Sequence, residues 1–296
     1  MNEPHETKER ATQTPTVERI CHKCNYNLTG LDPHGNCPEC GSSIIQTCFQ
    51  CDYELVGLDP SGPCPECGFP IEGSIGRGQL STADPAYLAK LHKGVFWIQT
   101  AIILMVLQFI GMFFIGTMTG IGGAGVGAAN TINLISPILS VAFSVMLLIG
   151  WWMFSTPNPD TSDRYSGDDA RKLVRIMILI SAALTVIQLP FAYLSQSGQL
   201  DLILLIAGGL SILGLIVFAV RFFAEMFYIK WMAPLLRNKK VYNRARMMMW
   251  LGPVLCTVGL LLIGLGPLIA LVLYWNMLDW IRKDIKAIRE ASGSIA

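Results

Sequence analysis

Charge is scarce in this chain: Asp, Glu, Lys and Arg together make up 15% of its 296 residues, against roughly a quarter in an average soluble domain. Histidine is scarcer still, and His5, His22, His34 and His92 do not cluster, so no His-based metal or acid–base site is expected. Residues 1–20 are charged and lack the apolar core of a signal peptide, which argues against the oxidising compartments where disulfides persist. Basic residues are short in the first 80 positions. Lys8, Arg10, Arg19, Lys23 and Arg77 face eleven Asp/Glu, a balance of −6 that leaves +7 on the remainder for a net charge of +1. An acidic N-terminal part is a poor match for a phosphate backbone, so no nucleic-acid partner is expected. The Gly-rich stretch 120–127 lacks the Lys-Ser/Thr of a phosphate-binding loop.

Cysteine, in contrast, is patterned. Eight of the nine fall in two copies of one arrangement, Cys21-x2-Cys24-x12-Cys37-x2-Cys40 and Cys48-x2-Cys51-x12-Cys64-x2-Cys67, which match at 15 of 25 aligned positions. Shared residues include Tyr26/Tyr53, Leu28/Leu55, Gly30/Gly57, the Leu-Asp-Pro triplets at 31–33 and 58–60, and the Cys-Pro-Glu-Cys-Gly runs. Each copy is one structural unit of an internal duplication. A Cys-x-x-Cys turn aims two sulfurs at one point, and two such turns complete a tetrahedron around Zn²⁺. The chain must curl sharply after the second Cys of each turn, often through positive φ, and Asn25, Gly41, Asp52 and Gly68 stand there. Tyr26, Leu28, Leu31 and Ile44, with their repeats, are the expected small core. About 25 residues bury too little surface to fold unaided, so metal must supply the stability.

Three states compete for these thiols. Disulfides need an oxidising compartment. Iron in an S₄ tetrahedron is the rubredoxin solution, but the x12 loop is much shorter than a rubredoxin's. Structural zinc with no open coordination position, two ions per chain, is the reading preferred. Residues 21–72 resemble the double zinc ribbon family, specifically the short Cys-x-x-Cys-x-Tyr-x-Leu-x-Gly-Leu…Cys-Pro-Glu-Cys-Gly ribbons that precede membrane spans in some bacterial proteins. The resemblance implies small β-type ribbons with all eight cysteines as metal ligands, and it implies no catalytic residue.

Beyond position 94 come long apolar runs. Crossing roughly 30 Å of hydrocarbon takes about 20 residues in a helix, and five stretches qualify: 94–116, 132–154, 173–195, 199–222 and 249–275. The expected fold class is tandem zinc ribbons followed by an all-α polytopic transmembrane helix bundle. Its divisions are a disordered segment 1–20, ribbons at 21–45 and 48–72, and a linker with an interfacial helix over 73–93. A bundle of five, or six, helices over 94–281 and an amphipathic tail 282–296 complete the chain. Asp84 suits an N-cap and Pro85 a first turn. Six spans follow if 247–281 crosses twice, bending at Gly264-Leu265-Gly266-Pro267. Basic residues crowd into 155–175 and 221–246 and avoid 117–131 and 196–198, which puts the N-terminus in the cytosol; the bacterial proteins that the ribbons resemble imply a bacterial cytoplasmic membrane.

Within the spans chemistry is thin. Arg175, Asp201 and Arg221 fall near expected span ends, where snorkelling is the ordinary account. Arg221 and Glu225 are spaced to pair on a helix face, Gln108 and Gln188 to bond between helices, and Cys256 to pack. With no catalytic or cofactor-binding residue and no small-molecule substrate in view, the expected function is a membrane-anchored adaptor, not an enzyme. Its partners would be the bilayer and a cytosolic protein. A small transporter or membrane enzyme regulated by the ribbons is the rival.

Overall fold

The computed structural model describes residues 21, 26–31, 36–41, 47–55, 58–59, 61–74, 80, 83–122, 126–158, 168–194, 201–261 and 265–293. It divides into two compact units, Met1–Gly76 and Arg77–Ala296. Outside the described residues lie the segment 1–20, Cys24, Asn25, Ile44, most of the linker 73–82, positions 196–198 and Gly264.

The N-terminal unit is built from tight turns. Among the described residues it holds no strand; isolated antiparallel bridges pair Thr47 with Glu54 and Pro63 with Pro70, and a 3-10 turn covers Ile71–Gly73. The core differs in part from expectation. Leu28, Leu55 and Ile71 are buried, but Tyr26 and Tyr53 are 41% and 42% exposed. The interior of the second repeat is filled instead by Phe49 and Phe69, buried with ring centroids 5.7 Å apart. The matching positions of the first repeat are His22 and Ser42, so the duplication gave no hint of this pair.

The second unit contains six α-helices among the described residues: α1 (Pro85–Gly122), α2 (Val126–Phe154), α3 (Asp168–Leu194), α4 (Asp201–Met232), α5 (Lys239–Leu261) and α6 (Leu265–Gly293). Each helix packs on the next, and α6 returns to α1, closing a ring. Four helices are long and apolar enough to cross a membrane, over Pro85–Ile115, Ile135–Phe154, Asp169–Phe191 and Leu205–Met232. The first helix opens as its residues dictate, with the Asp84 carboxylate accepting the Ala86 N–H at 3.0 Å. Residues 85–93 are its first turns, continuous with the span, and Leu88 and Leu91 are fully buried. The stretch 249–275, read as one span or as part of a double crossing, comprises the end of α5 and the start of α6, with 262–264 between them outside the described residues.

Hydrocarbon drives no hydrophobic association, so small residues and polar bonds join the helices. A Cβ at Gly94 would lie 2.6 Å from the backbone N of Phe154 and 2.8 Å from the Gly150 carbonyl oxygen. Gln108 donates to the Ser136 hydroxyl at 2.9 Å across α1 and α2, and Gln188 donates to the Leu210 carbonyl at 2.9 Å across α3 and α4. Both glutamines thus join helices, as their mid-span positions suggested. At the C-terminal end of α2 the carbonyls left over by the helix are all claimed. Arg175 reaches the Ser155 carbonyl at 2.9 Å, Tyr228 that of Phe154 at 3.0 Å and Tyr87 that of Thr156 at 3.1 Å.

The close approach at Gly94 is open to test. Gly94→Ala forces α1 off α2 and lowers the thermal unfolding midpoint of the full chain in detergent, by the equivalent of about 1–3 kcal/mol for overpacking. Gly111, where a Cβ meets nothing within 4 Å, serves as the control, and Gly111→Ala leaves the midpoint unchanged or raises it. Equal effects at the two positions would show that α1 and α2 do not meet there.

Candidate metal centre

Each described knuckle repeats one local geometry. The residue after the second Cys of a pair returns its N–H to the carbonyl of the first: Gly41 to Cys37 at 2.8 Å, Asp52 to Cys48 at 3.0 Å and Gly68 to Cys64 at 2.8 Å. This return requires positive φ, which is +67° at Gly41, +62° at Asp52 and +72° at Gly68. Glycine adopts such angles without penalty, and Asp is among the few other types that tolerate them. A second return steadies the first Cys, whose N–H donates to a carbonyl five residues on. These bonds are Cys21 to Tyr26 at 2.8 Å, Cys48 to Tyr53 at 2.7 Å and Cys64 to Phe69 at 2.7 Å. With the backbone so curled, the sulfurs of a pair share a side.

The result is two sulfur clusters. The sulfurs of Cys48, Cys51, Cys64 and Cys67 all lie within 4.8 Å of one another, and so do those of Cys21, Cys37 and Cys40. Cys24, the expected fourth member of the first cluster, lies outside the described residues. Individual Sγ–Sγ separations are 3.5 Å for Cys21–Cys40, 3.5 Å for Cys48–Cys67 and 3.7 Å for Cys51–Cys64. A disulfide is about 2.05 Å long, and the described cysteines are all free thiols. Around tetrahedral zinc, with bonds of about 2.3 Å, sulfurs stand about 3.8 Å apart. The donor set fits, and both clusters can hold a zinc ion.

Protonation reinforces this conclusion. Burial opposes ionisation of Cys48, but the backbone N–H groups of Cys51 and Gln50 and the thiols of Cys67 and Cys51 prevail and lower it to about 7. Cys67 is pushed up to about 12 by burial and by the neighbouring sulfurs of Cys51, Cys48 and Cys64, against the Phe69 N–H. The site therefore gives up its first proton readily and keeps its last. A divalent cation resolves that conflict by taking the place of the protons among the thiolates. Two of the four sulfurs in the second cluster, those of Cys48 and Cys64, belong to buried residues. Phe49 and Phe69 lie beside this cluster in sequence, and the Phe49 N–H donates to the buried Ser74 hydroxyl at 2.9 Å.

The helical unit carries a separate polar cluster that the sequence had underplayed. Arg221 does not snorkel. Its Nε donates to the Glu225 carboxylate at 2.8 Å and its Nη1 to the Ser181 hydroxyl at 3.0 Å. The second Glu225 oxygen accepts from the Tyr274 hydroxyl at 3.1 Å, and Glu225 is only 3% exposed. Trp151 lies in polar reach of the same hydroxyl, although its buried indole N–H makes no well-formed hydrogen bond. Residues of α2, α3, α4 and α6 meet here. The i,i+4 spacing revealed the Arg221–Glu225 pair; nothing in the sequence linked it to Ser181 or Tyr274, whose approach depends on packing.

Both Glu225 oxygens being occupied leads to a graded expectation. Glu225→Ala leaves the Arg221 charge buried without its partner, at a cost of about 3–5 kcal/mol, whereas Tyr274→Phe removes one hydrogen bond, at about 1 kcal/mol. Thermal unfolding of the full chain in detergent ranks the two. Small, equal losses would mean that the pair is solvated.

The chain matches no protein-family model, no curated protein and no solved structure, so its function must be read from the sulfur clusters and the helices themselves.

Proposed function

We propose that this protein is a membrane-anchored adaptor whose tandem zinc ribbons, on the cytosolic side, recruit or sense a protein partner. Each ribbon holds one structural Zn²⁺, the first on Cys21, Cys24, Cys37 and Cys40 and the second on Cys48, Cys51, Cys64 and Cys67. The observation that carries the reading is the closed S₄ set of the second cluster. When protein sulfurs fill all four positions, no site is left for water or substrate, which marks a structural rather than a catalytic metal. The exposure of Tyr26 and Tyr53 at equivalent places in the two repeats supports recruitment. An exposed tyrosine in a small rigid module is a favourable anchor for a partner. The rival reading, a transporter or membrane enzyme with the ribbons as its regulatory part, draws its support from the buried Glu225 cluster.

Native mass spectrometry of the full chain in detergent gives two zinc ions per molecule, and Cys48→Ser with Cys64→Ser reduces this to one. A strong chelator removes both and exposes the N-terminal unit to protease, since binding and folding free energy are the same quantity in such modules. A single metal in the unmutated protein, or a red iron chromophore, contradicts the assignment.

Recruitment has its own check. Crosslinking in native membranes joins the unmutated chain to a cytosolic protein, and the Tyr26→Ala/Tyr53→Ala double variant loses that product while keeping its zinc. A product indifferent to both tyrosines argues against the ribbons as the docking face. Loss of activity on Glu225→Gln with crosslinking unchanged would favour the transporter or enzyme.

A further inference from the structure

Exposure of apolar side chains changes abruptly along the helices of the second unit. In the first turns of α1, Leu88, Leu91 and Val95 are fully buried while Lys90 and Lys93 are exposed. From Phe96 onward large apolar residues are exposed, Ile103, Leu107 and Phe109 among them. The same change falls at Trp152 on α2, Ile176 on α3, Phe227 on α4 and Met247 on α5, each the exposed large apolar residue nearest that end of its helix. Outside these positions Phe154, Val174, Met232 and Val241 are buried, and the exposed residues include Lys172, Asn243 and Arg246.

Contacts between helices put these positions at one height. Gly94 packs on the Phe154 backbone. Arg175 donates to the Ser155 carbonyl at 2.9 Å and lies over the Trp152 ring, and Tyr228 donates to the Phe154 carbonyl. Arg282 of α6 joins the same level, its guanidinium 5.2 Å from the Phe96 ring centre. Apolar groups hide from water but lie freely against hydrocarbon, so this level is where one medium gives way to the other. Trp152 and the exposed Trp250 stand close to it, as tryptophans at a membrane interface do.

The last two helices both keep one end at this level and run antiparallel. Asn238, just before α5, donates to the Asp284 carboxylate of α6 at 2.6 Å, and Arg244 lies 5.1 Å from the Trp280 ring centre. Deeper in the bundle, Phe222 packs on both Gly252 of α5 and Tyr274 of α6. Past the boundary, 247–261 rises roughly 21 Å and 265–278 roughly 20 Å, against roughly 40 Å for 96–122 of α1. A hydrocarbon core is about 30 Å thick, and neither α5 nor α6 is among the four helices long and apolar enough to cross it. We propose that the exposed apolar band is the surface that contacts the bilayer, with its edge at Phe96, Trp152, Ile176, Phe227 and Met247, and that α5 and α6 form a re-entrant hairpin. The hairpin enters and leaves through the face where α1 begins. Four crossings return α4 to that face, so the last turns of α6 share it. Arg282, Lys283, Lys286 and Arg289 then stand on the same side as Lys90 and Lys93, in keeping with the one-sided bias of basic residues. The proposal rests on the membrane character of the helices and is independent of what the ribbons hold or recruit.

Two measurements on the full chain test this. An epitope is placed after Ala296 or, in a second version, between Gly122 and Val126, and external protease is added to sealed membrane vesicles. The two epitopes are expected on opposite sides, whichever way the protein is oriented, so that protease removes one and spares the other. In the zinc-loaded chain with Cys256→Ala, a nitroxide is then attached at Leu268→Cys or Phe113→Cys, both exposed positions, and its depth in liposomes is read from collisions with oxygen and a nickel chelate. Leu268 is expected about 15 Å inside the boundary, near the bilayer centre, and Phe113 about 10 Å deeper. Ile269→Cys, on the same turn and also exposed, gives a second reading should Leu268→Cys lose its helical circular dichroism. Both epitopes on one side would make 249–275 a single span and overturn the hairpin. Equal depths for Leu268 and Phe113 would make α5 and α6 full crossings and overturn it as well.

Discussion

Hydrocarbon offers a polar group nothing to bond with, and the helical unit is organised by that shortage. A buried donor or acceptor without a partner costs several kcal/mol there, so polar side chains in the spans bond either to their own helix, as Thr100, Ser140 and Ser211 do, or to a neighbouring segment. Gln108, Gln188 and Tyr228 end on carbonyl or hydroxyl groups of another helix, and Arg175 on those of Ser155 just past the end of α2. Those bonds also set the order in which helices meet. The Arg221–Glu225–Tyr274 cluster is the same constraint at its most demanding, since a charge pair inside the bundle needs every lone pair and proton engaged.

The N-terminal unit meets a different shortage. It has too few residues for a hydrophobic core that would hold it folded, and its turns instead concentrate sulfur. Curling the backbone through positive φ at Gly41, Asp52 and Gly68 costs little for those residue types, and it brings thiols together that would rather not ionise side by side. The low value at Cys48 and the high one at Cys67 express that repulsion. Metal binding removes it, which is why folding and metal uptake are coupled in such modules.

How the two parts divide the labour follows from these shortages. On the function proposed above, a closed sulfur set gives its metal no reactive position, and the exposed Tyr26 and Tyr53 are the proposed docking surface. The helical unit offers a polar cluster in its interior around Glu225.

Much of this was legible in residue order alone, for physical reasons that can be stated residue by residue. Ligand spacing and turn chemistry are local, so Cys-x-x-Cys followed by Gly or Asp announced the knuckles. Hydropathy over about 20 residues is equally local and announced the four apolar helices, as did Asp84 and Pro85 for the start of α1. What the sequence could not supply was every outcome set by three-dimensional neighbours. Tyr26 and Tyr53 recur like core residues yet are exposed, and in the second repeat Phe49 and Phe69 fill the interior instead. The run 249–275 falls in two helices, the end of α5 and the start of α6, and residue order left one span and a double crossing both open. Arg221 stands where a snorkelling residue would, yet it turns inward to Glu225 and Ser181. Arg282 meets Gln99 across 183 positions of chain, a contact that only the closure of the helical ring on itself could bring about.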